Sequence, residues 1–509
     1  MSDARVHVLT PADETGRQGE VDMSTGAQDR IATGIDGFDA VLGGGLVPGC
    51  AYILQGPPGA GKTVLANQLC FNLARDGRKT LYLSLLAESH DRMLDHMSTM
   101  GFFDSEAVPR SIYYMSAYST LVEERLDGLL RMIHREMRQH KASLLVLDGL
   151  FVAQDTAEDD KQFRSFIHDL QGLAALAQCT LLILTNQDRP PGSPEHTMVD
   201  GWIELLDEMH GARSVRSLIL KKQRGGKHLR GRHHFRITDD GISIFPRLEA
   251  ALTREPEGHE TDLRVSSGIA GLDRMIGGGY PGGSSTVVAG PSGTGKTTIG
   301  LQFLSQATPE EPGLLFGFYE TPARLRSKAR SIGIDIDGLL ASGALEILWQ
   351  SPAETLPDEL GRKLLRAVER RNVKRVFFDG IGALRHAFLY PERMPLFIGA
   401  INNTLRASDT TALYSFELPS LFMPDQIMTE ELSSMIENVI LAHYVRPRED
   451  SEPGRRPRIM NRELLVLKIR DSEFDAYPEV FHITGKGVLF GGAESQNLRP
   501  DAADGGESA

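Results

Sequence analysis

Gly56-Pro-Pro-Gly-Ala-Gly-Lys62-Thr63 follows the apolar run Ala51–Gln55, and Gly290-Pro-Ser-Gly-Thr-Gly-Lys296-Thr297 follows the apolar run Thr286–Ala289. Each is a Gly-x-x-x-x-Gly-Lys-Thr loop between a strand-like run and a helical pattern, Val64–Arg75 in one case and Thr298–Ser305 in the other. Glycines let backbone N–H groups curl around phosphates, the lysine reaches the β- and γ-phosphates, and the threonine hydroxyl is offered to Mg²⁺. The helix that begins there turns its positive end toward the anion. The candidate nucleotide-binding residues are therefore Gly59, Ala60, Gly61, Lys62, Thr63 and Val64, with Ser292, Gly293, Thr294, Gly295, Lys296, Thr297 and Thr298 in the second copy.

Working outward, the two loops belong to a repeat. Gly34-Ile-Asp-Gly37-Phe-Asp39 and Gly43-Gly-Gly45 recur as Gly268-Ile-Ala-Gly271-Leu-Asp273 and Gly277-Gly-Gly279, displaced by the same 234 residues as the lysines. The ends match as well: Arg216-Ser-Leu-Ile-Leu-Lys-Lys222-Gln-Arg224 parallels Arg462-Glu-Leu-Leu-Val-Leu-Lys468-Ile-Arg470. A repeat of this length is a duplicated domain, not a solenoid. Ile242–Pro246 reads as a last strand, and the polar stretch after it, with Pro256 and Gly258, reads as a linker. The expected organisation is a polar N-terminal tail over 1–28, a first domain over 29–247, a linker over 248–262, a second domain over 263–490 and an acidic tail over 491–509. Both tails are expected to be disordered.

Within each half, short apolar runs alternate with helical patterns. Thr80–Leu85, Leu144–Leu147 and Leu181–Leu184 in the first half match Leu314–Phe318, Val376–Phe378 and Thr411–Tyr414 in the second. Strands alternating with helices predict an α/β fold: two P-loop domains in tandem, each a mainly parallel sheet flanked by helices. Two of these strands end in acid, at Asp148 and Asp379, where an Asp orients Mg²⁺. Glu88 and Glu320 follow the strands Thr80–Leu85 and Leu314–Phe318 at matching places and are the candidates to orient or deprotonate the attacking water.

Bulk properties narrow the alternatives. The 509 residues are 41% hydrophobic and 24% charged, an ordinary globular composition. A net charge of −13 suits poorly a protein that wraps duplex DNA by neutralising phosphates. Three cysteines, Cys50, Cys70 and Cys179, make no disulfide framework and fit a reducing compartment. The N-terminus has no apolar signal core and no stretch approaches the length of a membrane span, so a cytoplasmic protein with no membrane association is expected.

The paired Gly-Ile-x-Gly-x-Asp and triple-glycine segments, both P-loops, the Arg264-Val-Ser-Ser-Gly268 entry and the paired Lys-x-Arg ends resemble the KaiC family of RecA-type ATPases, over about residues 30–490. The resemblance implies a double-ring homohexamer with ATP and Mg²⁺ between neighbouring subunits. It implies that basic residues act in trans: Arg216, Lys222, Gln223 and Arg224 in the first ring, Arg462, Lys468, Ile469 and Arg470 in the second. It also implies autophosphorylation (and autophosphatase activity) in the second domain, on Ser433 and Ser434, in signalling or circadian-type timing, with the phosphorylation state read by protein partners. The chain departs from the family in three places. The first glutamate of each catalytic-loop pair is replaced, by Ala87 and Tyr319. Ile332 stands where an aromatic residue lies near the adenine. The tail after Phe490 is short, so no activator docking there is expected.

Two other readings remain open on the residues. A RecA- or helicase-like motor would use a run such as Lys221–His234 on a phosphate backbone, and the acidic balance argues against nucleic acid. A non-enzymatic scaffold would use ATP only to glue a hexamer.

Overall fold

In the computed structural model, the described residues are 30–87, 90–186, 193–252, 263–351, 355–418, 435–445, 460–470 and 472–491. The first half forms strands β1 (Ala51–Gln55), β2 (Thr80–Ser84), β3 (Ile112–Ser116), β4 (Leu144–Asp148), β5 (Thr180–Thr185), β6 (Gly201–His210), β7 (Arg213–Gln223), β8 (Arg232–Thr238) and β9 (Gly241–Phe245). They make one nine-stranded sheet in the order β3-β2-β4-β5-β1-β6-β7-β8-β9. From β3 to β6 the pairing is parallel, and from β6 onward it is antiparallel. β1, β2 and β5 are buried along their whole length, the property of parallel strands covered on both faces. The covering helices include α1 (Lys62–Arg75), α2 (Tyr118–His140) and α3 (Asp160–Ala177).

After β9 comes a short helix, α4 (Leu248–Ala251). The second half then repeats the plan with β10 (Ser285–Gly290), β11 (Gly313–Gly317), β12 (Leu345–Trp349), β13 (Arg375–Asp379), β14 (Thr411–Glu417), β15 (Asn438–Val445), β16 (Asn461–Lys468), β17 (Glu479–Thr484) and β18 (Gly487–Phe490). Its order, β12-β11-β13-β14-β10-β15-β16-β17-β18, is that of the first sheet strand for strand. Its helices include α5 (Lys296–Ser305), α6 (Pro357–Arg371) and α7 (Met394–Ala407). Even the entry to each half matches, since the Ile31–Leu46 bridge has its counterpart in the Val265–Tyr280 pair.

Each expected strand is present to within two or three residues. Where the sequence reads as linker from residue 248, the chain instead forms α4 and docks it on the second half. Leu248 is buried in the same cluster as Leu360, Leu364 and Phe397, and its N–H donates to Asp358 Oδ1 at 3.2 Å. The stretch is polar at Glu249 but supplies two apolar anchors, Leu248 and the partly buried Leu252, which are enough to fix a single turn. Residues 253–262 lie outside the described set.

Candidate nucleotide sites

β1 and β10 are the strands at which each sheet changes winding direction, with β5 or β14 on one side and β6 or β15 on the other. In open α/β sheets the crevice at the carboxyl end of such a strand is where ligands bind. Both glycine loops leave the sheet there and run into α1 and α5. Gly61 and Gly295 precede these helices with φ of 100° and 103°, and neither helix has a side-chain cap. The first-turn N–H groups are thus left for an anion. A Cβ on Gly61 would meet Ile237 Cδ1 at 2.7 Å, and one on Gly295 would meet Ile483 Cδ1 at the same distance. An isoleucine of the distal hairpin therefore backs each loop, and only glycine fits both the positive φ and the space.

The lysines curl over their own loops. Lys62 Nζ donates to the Gly56 and Pro57 carbonyls at 2.7 and 3.1 Å, and Lys296 Nζ to the Gly290 and Pro291 carbonyls, both at 2.7 Å. Burial lowers both ammonium pKa values. Asp148 opposes the shift at Lys62, and Glu417, then Asp379, oppose it at Lys296. Ala60 and Thr294 are buried in the loops, and Thr294 Oγ1 donates to the Pro291 carbonyl at 2.9 Å.

The acid at the end of β4 or β13 stands beside each loop. Asp379 Oδ1 accepts from Thr297 Oγ1 at 3.2 Å and from Ser415 Oγ at 2.8 Å. Asp148 Oδ2 accepts instead from the Tyr82 hydroxyl at 2.7 Å. Burial pushes both carboxyls above the usual range, against the pull of these hydroxyls. Sequence reasoning missed Tyr82 and Ser415. They hold equivalent acids from different neighbouring strands, β2 in the first sheet and β14 in the second, so only the strand register reveals them.

Glu320 sits just past β11, where Oε1 accepts from Lys328 Nζ at 2.8 Å. Its neighbour Tyr319 is 64% exposed and lies over Gly380, beside Asp379. Glu88 lies outside the described residues, as do Ser433 and Ser434. Ile332 is buried in a hydrophobic cluster of the second half.

The basic residues of β7 are held by their own chain. Lys222 Nζ donates to the Thr197 and His196 carbonyls at 2.8 and 3.3 Å. Arg216 Nε is 3.3 Å from Asp207, and Arg224 is 3.7 Å from Asp200 and exposed. Arg216 also lines a cleft with Arg213, Arg236 and Leu356 of the second half. Gln223 Nε2 donates to the Leu42 carbonyl at 2.8 Å. On β16, Arg462 Nε donates to the Gly293 carbonyl of its own loop at 3.2 Å. Lys468, at the end of that strand, pairs with Val439; Ile469 is buried, and the Arg470 N–H donates to Asn438 Oδ1 at 2.9 Å. Much of the Lys221–His234 run is likewise neutralised: Lys221 pairs with Glu204, Arg232 with Glu208, and His233 and His234 are buried. Arg224, Lys227 and Arg230 of the run are exposed.

Among the described residues no helix is long and apolar enough to cross a membrane. A sequence profile of the KaiC ATPase family matches residues 31–249 and 265–495, once for each half. The circadian clock oscillator protein KaiC of Nostoc sp. (strain PCC 7120) is 24% identical over 487 residues, covering 93% of this chain and 91% of its own. The protein of that name from Parathermosynechococcus lividus is 25% identical, over 90% of this chain and 84% of its own. The circadian clock protein KaiC3 of Synechocystis sp. (strain PCC 6803) is also 25% identical, over 92% and 93%. With two nucleotide-binding α/β domains and a family profile that matches both, the chain belongs to the KaiC ATPase family.

Proposed function

We propose that both loops bind and hydrolyse ATP with Mg²⁺ in a homohexamer, and that the second domain transfers phosphate to Ser433 or Ser434 in a signalling or timing role. The observation that carries this reading is the same constellation built twice: a glycine loop, a half-buried lysine and a strand-ending aspartate at the carboxyl ends of β1 and β4, then of β10 and β13. Such duplication under only partial sequence identity of the halves points to chemistry retained at each site.

The Thr297 hydroxyl and Asp379 fit Mg²⁺, a hard ion that takes oxygen ligands and is held mainly by substrate phosphates. Thr63 and Asp148 would do the same in the first domain. The ion would neutralise charge on the β- and γ-phosphates. Lys62 and Lys296 swing from the loop carbonyls to the phosphates, exchanging one set of oxygen acceptors for a charged one. Glu88 and Glu320 orient the attacking water. Arg216, Lys222, Gln223 and Arg224, and Arg462, Lys468, Ile469 and Arg470, serve the neighbour's nucleotide across the subunit interface, where cations stabilise the transferring phosphoryl group. Partners read the phosphorylation state.

Incubation with γ-labelled ATP, followed by native and peptide mass spectrometry, tests each part. Six subunits, bound adenine nucleotide, released phosphate and label on Ser433 or Ser434 are expected. Phosphate release without label removes the kinase and leaves the ATPase. Normal nucleotide retention in a Lys62→Ala, Lys296→Ala double variant overturns the reading of both loops.

A further inference from the structure

Among the described residues, the second nucleotide site carries a carboxylate at a place where the first has none. β14 runs parallel to β10 with Glu417 paired to Gly290, the first residue of the glycine loop, and the Leu418 N–H donates to the Gly290 carbonyl at 3.0 Å. In the first sheet Gln55 pairs with Thr185, which brings Asn186 to the equivalent place beside Gly56. The other acids of the second site are engaged: Asp379 by Ser415 and Thr297, Glu320 by Lys328. Glu417 is exposed and makes no side-chain hydrogen bond or ion pair among the described residues. It lies close enough to act on its neighbours. It adds to the burial that raises the Tyr319 hydroxyl.

We propose that Glu417 is the proton acceptor of the second site, taking the place of the carboxylate absent at Tyr319. This rests on reading Gly290–Thr297 as an ATP site. Water is the co-reactant. Its oxygen forms a bond to the γ-phosphorus while the bond from that phosphorus to the β–γ bridging oxygen breaks. ADP leaves with the electron pair, and the water proton passes to the Glu417 carboxylate. A carboxylate with no ammonium partner among the described residues suits this step better than one beside an ammonium, because an adjacent cation favours the charged form over the protonated one. Glu320, fixed by Lys328, is left to orient the nucleophile.

The test uses the full chain carrying Glu88→Gln, so that phosphate release reports the second site. Adding Glu417→Gln is expected to lower kcat for ATP by about 10²-fold, the loss of a positioned general base. KM should stay within about twofold, and the nucleotide extracted from the protein should shift from ADP toward ATP. Glu417→Asp should retain more activity than Glu417→Gln. An unchanged kcat in Glu417→Gln overturns the proposal, and so does loss of bound nucleotide with a raised KM, which would make the residue structural. A parallel Glu88→Gln, Lys296→Ala variant isolates the underlying reading: phosphate release as fast as in Glu88→Gln alone would show that the second loop is not the hydrolytic site.

Discussion

Asp379 is buried and Asp148 half-buried, each at the end of a strand beside its glycine loop. Burial raises both carboxyl pKa values, so in the nucleotide-free protein the charged form opposes folding. The sign follows from linkage: a raised folded pKa gives stability that is present at acidic pH and is lost as pH rises through that value. Asp379→Asn removes the loss. At neutral pH, without nucleotide, it should raise the thermal midpoint by about 2–4 °C, the shift that 1 kcal/mol produces in a domain of this size. The gain should vanish in acid below the ordinary carboxylate range. Phosphate release by the second site should fall by about 10²–10³-fold, as when one preorganised electrostatic group is removed from a reacting centre. Thermal scans across pH in the absence of nucleotide, set beside phosphate release, check both halves. A lower midpoint in the variant at neutral pH would contradict the burial argument.

At the scale of elements, each glycine loop is shaped from behind by the hairpin that ends its domain. The φ of 103° at Gly295 and the 2.7 Å approach of Ile483 Cδ1 are separate obstacles to a side chain. Gly295→Ala should destabilise the second domain by about 1–2 kcal/mol from the backbone alone, with further cost from the clash. Adding Ile483→Val shortens the intruding side chain and should recover only the clash. Urea unfolding of the two variants separates the terms. Full recovery in the double variant would show that the positive φ costs nothing there. Gly61 and Ile237 offer the same test in the first domain.

At the scale of the whole molecule, the two domains meet through buried charge. Asp358, at the start of α6 and fully buried, accepts from Arg393 Nη2 at 2.9 and 3.2 Å, and Arg393 also forms paired bonds to Glu249 of α4 at 2.8 and 3.0 Å. His234 of β8 stands 3.6 Å from Asp358. On the rim, Arg236 pairs with Glu359, and Arg362 and Arg366 with Asp36. Burial alone would push the Asp358 carboxyl up. His234 and the Arg393 guanidinium outweigh it and hold the pKa below the usual range. A depressed pKa gives stability present above the ordinary carboxylate range and lost as pH falls through the lowered value. Arg393→Met leaves a buried carboxylate unpaired and should cost about 3–5 kcal/mol. Calorimetry should then show the two domains melting apart. Arg393→Met with Asp358→Leu should restore part of the loss, because the Asp358 charge is removed while Glu249 keeps only Arg247, at 3.4 Å. No recovery in the double variant would mean that the seam is held by other contacts.

The repeat, the strand–loop–helix order, the lysines and the strand-ending acids were legible in the sequence, because each depends on local spacing along one chain. Glycines, a lysine and a threonine at fixed intervals can perform only a few tasks, and a constant displacement of 234 residues names the duplication without coordinates. Tyr82, Ser415 and Glu417 were not legible. Each stands beside a loop or an acid far away in sequence, placed there by the register of neighbouring strands, which hydrophobic pattern alone does not specify for fully buried parallel strands. The docking of α4 and the contacts of Glu249 with Arg393 and of His234 with Asp358 were hidden for a related reason: a polar stretch looks like linker until the surface it meets is known. Local chemistry is written in residue order, whereas the partners of a buried charge are chosen by packing in three dimensions.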